Sequence, residues 1–147
     1  MFYYFGYGSN ISLKSLKAKG VDPISFEPAF LEDWELCFDL PNFFHIEGGT
    51  GNIRPAKGRV VHGVLYECLD AQLYIIDKLE AKKKKKKKKK KKVKTYLKRS
   101  ALALVYIGIE GRRKEGQQPS QRYKNILVHG ANEMNLSKDY IQELEAI

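Results

Sequence analysis

Cysteine is scarce in this chain of 147 residues: Cys37 and Cys68 are the only two, and no metal-ligand spacing relates them. Each lies in an apolar, strand-like stretch, which predicts buried, reduced thiols acting as small hydrophobes. Histidine is scarcer than its three copies suggest. His45, His62 and His129 have no cysteine or carboxylate partner at ligand spacing, so we read them as structural and expect neither a metal nor a cofactor. Long apolar runs are missing too. No stretch of about 18 such residues could span a membrane, and the N-terminus has no cationic signal-peptide shape. The expectation is therefore a cytoplasmic protein without a membrane partner. The standard nucleotide signatures also fail, since no third glycine stands at the dinucleotide offset and no Gly-Lys-Ser/Thr occurs.

What is abundant is charge in one place. The formal net charge is +10, yet Lys82 to Lys92 is an unbroken run of eleven lysines. Removing it leaves 27 − 11 = 16 basic residues against 17 acidic, a net of −1. The remainder of the chain is near neutral, and no basic stripe with interleaved aromatics supports a nucleic-acid partner. The run itself reads as a solvated, self-repelling loop at 82–92, with polyanion binding as a competing reading. It is either an insertion or the product of an A-rich tract. Hydrophobic content of 43% and aromatic content of 12% argue for a globular domain, and we expect one domain over 1–147.

Along the chain, residues 2 to 7 form an aromatic first strand, and residues 11 to 19 a short helix capped by Ser12 or Asn10 and stopped by Gly20. Pro28 to Leu40 is strand-like. Phe43 to Ile46 is short and apolar, and a glycine-rich bend leads to a candidate edge strand at Ile53 to Pro55. Gly58 reads as a turn into a central strand, Arg59 to Cys68. Asp70 is the expected cap of a helix ending at Glu80. Thr95 to Ile109 reads as one long apolar strand, and Gly108 to Pro119 as a polar loop. Arg122 to His129 opens with a helical turn, Gly130 and Asn135 read as breakers, and Ser137 caps a final helix. Strands outnumber helices and do not alternate with them, which predicts an α+β fold with a curled or barrel-like sheet.

The stretch with most chemistry is Tyr4-Phe5-Gly6-Tyr7-Gly8-Ser9-Asn10. A strand breaks through glycines into a helix start, so main-chain N–H groups stand beside the positive end of a dipole. Such a bend is a seat for a carboxylate or an oxyanion, although a plain tight connection has the same spacing. Together with Val61-His62-Gly63-Val64-Leu65-Tyr66, Ile76-Asp77-Lys78-Leu79-Glu80, Tyr96, Pro119-Ser120-Gln121-Arg122-Tyr123 and Gly130-Ala131, this stretch resembles the γ-glutamylcyclotransferase-like superfamily over nearly the whole chain. The resemblance implies a small mixed β-barrel with helices packed around it and a cavity at one end. It implies an enzyme that cyclises a γ-glutamyl amine or γ-glutamyl amino acid to 5-oxoproline. The YGSN loop would bind the γ-glutamyl group and Glu80 would be the general base. Two departures stand out: Ala81 replaces the usual glycine after that glutamate, and lysines replace the loop that follows.

Such a cyclisation takes its nucleophile from the substrate and needs only a base for the α-ammonium. The negative end of its helix and the apolar strands expected around it favour the neutral form of Glu80, as a base working near neutrality requires; a solvated glutamate in a last helical turn is the bland alternative. Tyr7, Gly8, Ser9 and Asn10 are the candidate substrate-binding residues, through their main-chain N–H groups. Asn10 would alternatively only hold the turn. Tyr123 is a candidate donor to the substrate or a plain core tyrosine. A non-catalytic small-molecule-binding or regulatory domain on the same scaffold is the remaining alternative.

Overall fold

The computed structural model describes residues 1–41, 49–80, 86–109 and 118–147. Its strands are β1 (Phe2–Gly6), β2 (Ser25–Pro41), β3 (Gly49–Cys68), β4 (Lys86–Thr95) and β5 (Ser100–Gly108). Its helices are α1 (Leu13–Ala18), α2 (Leu73–Glu80), α3 (Gln121–Glu133) and α4 (Lys138–Glu145). The strands close into a barrel in the order β1-β3-β2-β4-β5. β1 and β5 pair in parallel and the other neighbours antiparallel, so the barrel is mixed, as expected.

Strand alternation divides the barrel's residues between two cores. Phe5, Leu31, Val61, Leu65, Val93 and Val105 face one another in a cluster drawn from the strands and Tyr7. Tyr4, Tyr66 and Tyr106 face the other way and pack with helical residues such as Leu16, Ile76, Leu127 and Leu144. The outer cluster is where the helices meet the barrel, and it carries the polar groups described below. Cys37 and Cys68 are both buried, and burial pushes the Cys68 thiol up to about 11.

Several local expectations are corrected. The run Lys82 to Lys92 is not a loop throughout: Lys86 to Lys92 form most of β4, paired residue by residue with β5 from Lys86↔Gly108 to Lys92↔Leu102. The strand ladder uses main-chain groups, which lysine has like any other residue. Acids take up part of the charge, with Lys88 3.2 Å from Asp77 and Lys94 2.6 Å from Glu32. The single strand expected over Thr95 to Ile109 is interrupted after Thr95, where Lys98 turns the chain at φ 65° and Arg99 N–H donates to Thr95 Oγ1. Gly58 is not a turn but a bulge inside the continuous β3. It has φ +83°, and its N–H reaches Asp33 Oδ1 at 3.0 Å, opposite a register shift in β2. Ser12 rather than Asn10 caps α1. Asp70 lies within a 3-10 turn and pairs with the N-terminal ammonium at 2.8 Å. Ser137 stands at the start of α4 without a capping side-chain bond. Gly130 lies inside α3 and does not break it. Phe43 to Ile46 and most of the loop after Gly108 fall outside the described residues.

Candidate active site

β1 delivers the Tyr7–Asn10 bend to the rim of the barrel, where Ser9–Ile11 make one 3-10 turn before α1. Ile11 N–H closes on Gly8 O at 3.0 Å and Ser12 N–H on Ser9 O at 3.2 Å. The bend is clamped from beneath by Tyr66 of β3, whose buried hydroxyl donates to Asn10 O at 2.7 Å and to Ile11 O at 3.1 Å. Asn10 is itself 5% exposed, so its amide must find partners within the protein.

It finds Glu80. The last residue of α2 turns its carboxylate toward the bend and is 15% exposed at the side chain, so the solvated reading does not hold. Asn10 Nδ2 donates to Glu80 Oε1 at 3.2 Å and to Tyr4 Oη at 2.8 Å. The Tyr4 hydroxyl in turn donates to Glu80 Oε1. Burial first, and Glu80 second, hold the Tyr4 phenol well above its ordinary range, so it stays protonated and serves as a donor. On the other side of Asn10, Lys19 Nζ reaches Oδ1 at 2.5 Å and Ser9 Oγ at 3.1 Å, which fixes the amide with its nitrogen toward Glu80. Burial lowers the Lys19 pKa; Glu80 opposes that shift and the Lys86 charge adds to it.

Glu80 Oε2 faces Lys86, the first described residue of β4, at 3.4 Å. The Lys86 ammonium also lies 5.2 Å from the centre of the Tyr7 ring. Tyr7 donates to Tyr106 O at 2.5 Å, which pins the ring against β5. Tyr106, raised first by burial and then by Asp77, donates to the Asp77 carboxylate one helical turn before Glu80. Two acids of α2 are thus held by two neutral tyrosine hydroxyls from the strands.

Tyr123 completes the rim from α3. Its hydroxyl accepts from Gly51 N–H at 3.1 Å and from Ser9 N–H. A Cβ at Gly51 would stand 2.9 Å from that oxygen and one at Gly8 would stand 3.0 Å from it, so both glycines are needed for the approach. Burial raises the Tyr123 phenol while Lys86 and the two N–H donors oppose the shift, leaving a neutral hydroxyl that keeps its proton as a donor.

Every candidate named from the sequence, Glu80, Tyr7, Gly8, Ser9, Asn10 and Tyr123, therefore meets at one rim. Sequence reasoning did not assign Tyr4, Lys19, Tyr66 or Lys86. Tyr4 lies inside the motif but reads as a core aromatic, and Lys19 reads as the polar face of a helix. His62 is structural: Ser137 N–H donates to Tyr96 Oη at 2.9 Å, and that hydroxyl meets His62 Nδ1 at 2.6 Å. His129 lies on the exposed face of α3 beside Glu133, and His45 is outside the described residues. Among the described residues no group of three His, Cys, Asp or Glu is placed to hold a metal, and no helix is long and apolar enough to cross a membrane.

Known proteins resemble this chain in sequence and in fold. Residues 60–144 match the AIG2-like family. The gamma-glutamylcyclotransferase of Bos taurus is 27% identical over 99% of this chain and 78% of its own, and that of Homo sapiens 29% identical over the same shares. A solved gamma-glutamyl cyclotransferase superposes with a TM-score of 0.87 at 27% identity, covering 99% of this chain and 87% of that one. A yeast gamma-glutamyl cyclotransferase specific to glutathione shares the fold alone, at 15% identity and a TM-score of 0.72 over 97% of this chain and 93% of that one. With a family match over more than half its length and the barrel of those enzymes, this chain belongs to the AIG2-like family of the γ-glutamylcyclotransferase-like superfamily and is an enzyme of the cyclotransferase type.

Proposed function

We propose that the enzyme cyclises a γ-glutamyl amine or γ-glutamyl amino acid, releasing 5-oxoproline and the free amine, with Glu80 as general base. One observation carries the reading: the mostly buried Glu80 carboxylate lies 3.2 Å from the Asn10 amide, at the bend that also presents main-chain donors. The α-ammonium of a γ-glutamyl group is protonated at neutral pH. Glu80 takes one of its protons, and the freed nitrogen attacks the γ-carbonyl carbon. The new C–N bond closes a five-membered ring. The oxyanion that develops is met by the Gly8 and Asn10 N–H groups of the bend, Ser9 N–H being engaged by Tyr123, and by the Tyr123 hydroxyl. The tetrahedral centre then collapses: the bond to the leaving nitrogen breaks, that nitrogen receives the proton held by Glu80, and the ring nitrogen gives up its second proton to the freed carboxylate, which passes it to the released amine or to water.

Tyr4 and Asn10 both hold Oε1. That leaves Oε2, which faces the Lys86 ammonium until substrate enters, as the atom for the proton, and it fixes the carboxylate's direction. No nucleophile from the protein is required. Holding amine and carbonyl together is itself worth about 7–11 kcal/mol when the geometry is good, and the base adds its own factor. Incubating the protein with a panel of γ-glutamyl amines and dipeptides tests the reading. Release of 5-oxoproline with one equivalent of amine is expected; no release from any of them would overturn it.

A further inference from the structure

We propose that Lys86 reads the α-carboxylate of the substrate, so that a free amino-acid head group is what this site selects. The proposal rests on the γ-glutamyl reading above and assigns a group that reading leaves unused. Lys86 does not behave as a member of a solvated run. Its side chain is 14% exposed, whereas Lys87 to Lys90 and Lys92 are exposed. It stands among Glu80 at 3.4 Å, the Tyr7 ring at 5.2 Å and the Tyr123 hydroxyl, whose pKa its charge lowers against the effect of burial.

An anion and a cation side by side, both largely withdrawn from water, contribute little net stability on their own. They do form the mirror of one particular ligand. An α-amino acid head carries its ammonium and its carboxylate on a single carbon. When it enters, one internal pair is exchanged for two intermolecular ones: the ammonium goes to Glu80 and the carboxylate to Lys86. Neither protein charge is left without a partner at any stage. With the α-carboxylate taken by Lys86, the Gly8 and Asn10 N–H groups are left for the oxyanion.

The test compares two substrates and two variants. The substrates are a γ-glutamyl anilide and the 4-aminobutyryl anilide, which differs only in lacking the α-carboxylate and cyclises to 2-pyrrolidinone. Lys86→Met should lose on the order of 10- to 100-fold in kcat/KM on the γ-glutamyl compound, mainly through KM. It should change by less than about threefold on the 4-aminobutyryl one, and Lys86→Arg should recover part of the loss. Equal losses on both substrates would mean that Lys86 only neutralises Glu80, and would overturn the proposal. A binding arm needs no turnover: calorimetry with 5-oxo-L-proline and with 2-pyrrolidinone, on the wild type and on Lys86→Met. Lys86-dependent binding of 5-oxo-L-proline without turnover of any γ-glutamyl compound leaves this inference standing and removes the functional reading. Turnover with no Lys86 dependence in either arm does the reverse. Failure of the wild type to bind 5-oxo-L-proline overturns the inference.

Discussion

Replacing Glu80 by glutamine separates its two roles, because the side chain keeps its shape and loses only its basicity and charge. Positioned general bases contribute about 10²–10⁴-fold, so kcat for 5-oxoproline release should fall by that factor. The stability effect follows from the ion pair. Severing a fully buried pair costs about 3–5 kcal/mol because one charge is stranded. Here Lys86 is 14% exposed and sits at the end of a strand, from which its long stem can reach water. The cost should therefore be smaller, about 1–2 kcal/mol, or a Tm lower by about 2–8 °C. The double variant Glu80→Gln/Lys86→Met removes the stranded charge as well, so it should regain the stability and none of the activity. Turnover followed by 5-oxoproline release, beside thermal melts of all variants, decides the matter. Wild-type kcat in Glu80→Gln would refute the assignment of the base. A double variant no more stable than the single one would refute the electrostatic account of the pair.

The remaining expectations are narrower. Tyr66→Phe leaves the carbonyls of Asn10 and Ile11 without their buried donor, and should cost about 1–3 kcal/mol in chemical denaturation while the packing of the ring is kept. Lys19→Met releases the Asn10 amide from its orienting cation, and should lower kcat/KM about tenfold, equivalent to about 1.4 kcal/mol, with the larger part in kcat. Burial holds the His62 imidazole below its ordinary value of 6.5. Between the folded and unfolded values the unfolded chain binds more protons, so stability should fall as pH drops through about 6.5 and level off below the folded value. Melting temperatures from about pH 7.5 to about pH 5 should show this step in the wild type and lose it in His62→Asn.

Where the chain's own neighbours decide a structure, the sequence announced it. The aromatic run of β1, the glycine break after it and the periodic apolar face ending at Glu80 are local patterns, and each element lies where they place it. The positions that failed depend on distant partners. Gly130 looks like a helix breaker because glycine is a poor helix former. It is needed because a Cβ there would stand 3.1 Å from Ser12 N, where α3 crosses the start of α1. Gly58 looks like a turn, but Asp33 across the ladder makes it a bulge. Tyr123 and Gly51 meet although 72 positions separate them, and nothing near either one signals the contact. The site is legible as two halves, a donor bend and an acid. The groups that orient them, Tyr4, Lys19 and Lys86, acquire their roles only when the barrel closes.

The lysine strand shows most clearly what a local pattern does and does not decide. A homopolymer has no alternation, and a slip of one residue would exchange its faces without any change in composition. Register must come from outside the run. At one end Val93 is fully buried and Thr95 3% exposed, and Thr95 N–H meets Arg99 O at 2.8 Å in the turn. At the other end Lys86 and Lys88 reach Glu80 and Asp77 on α2. Lys87, Lys89 and Lys91 share their face with the buried Ile107, Val105 and Ala103, which would be costly in a closed wall. Among the described residues β2 pairs with β4 only at Ala29↔Thr95 and Phe30↔Lys94, so the wall opens beyond that point. There Lys87 and Lys89 are exposed, and Lys91 lies over Trp34 at 5.1 Å. A slip of two residues would put Lys88 where Lys86 stands, with the same ammonium beside Glu80. Composition thus guarantees a cation next to the acid, while Val93, by its need to stay dry, determines which lysine supplies it.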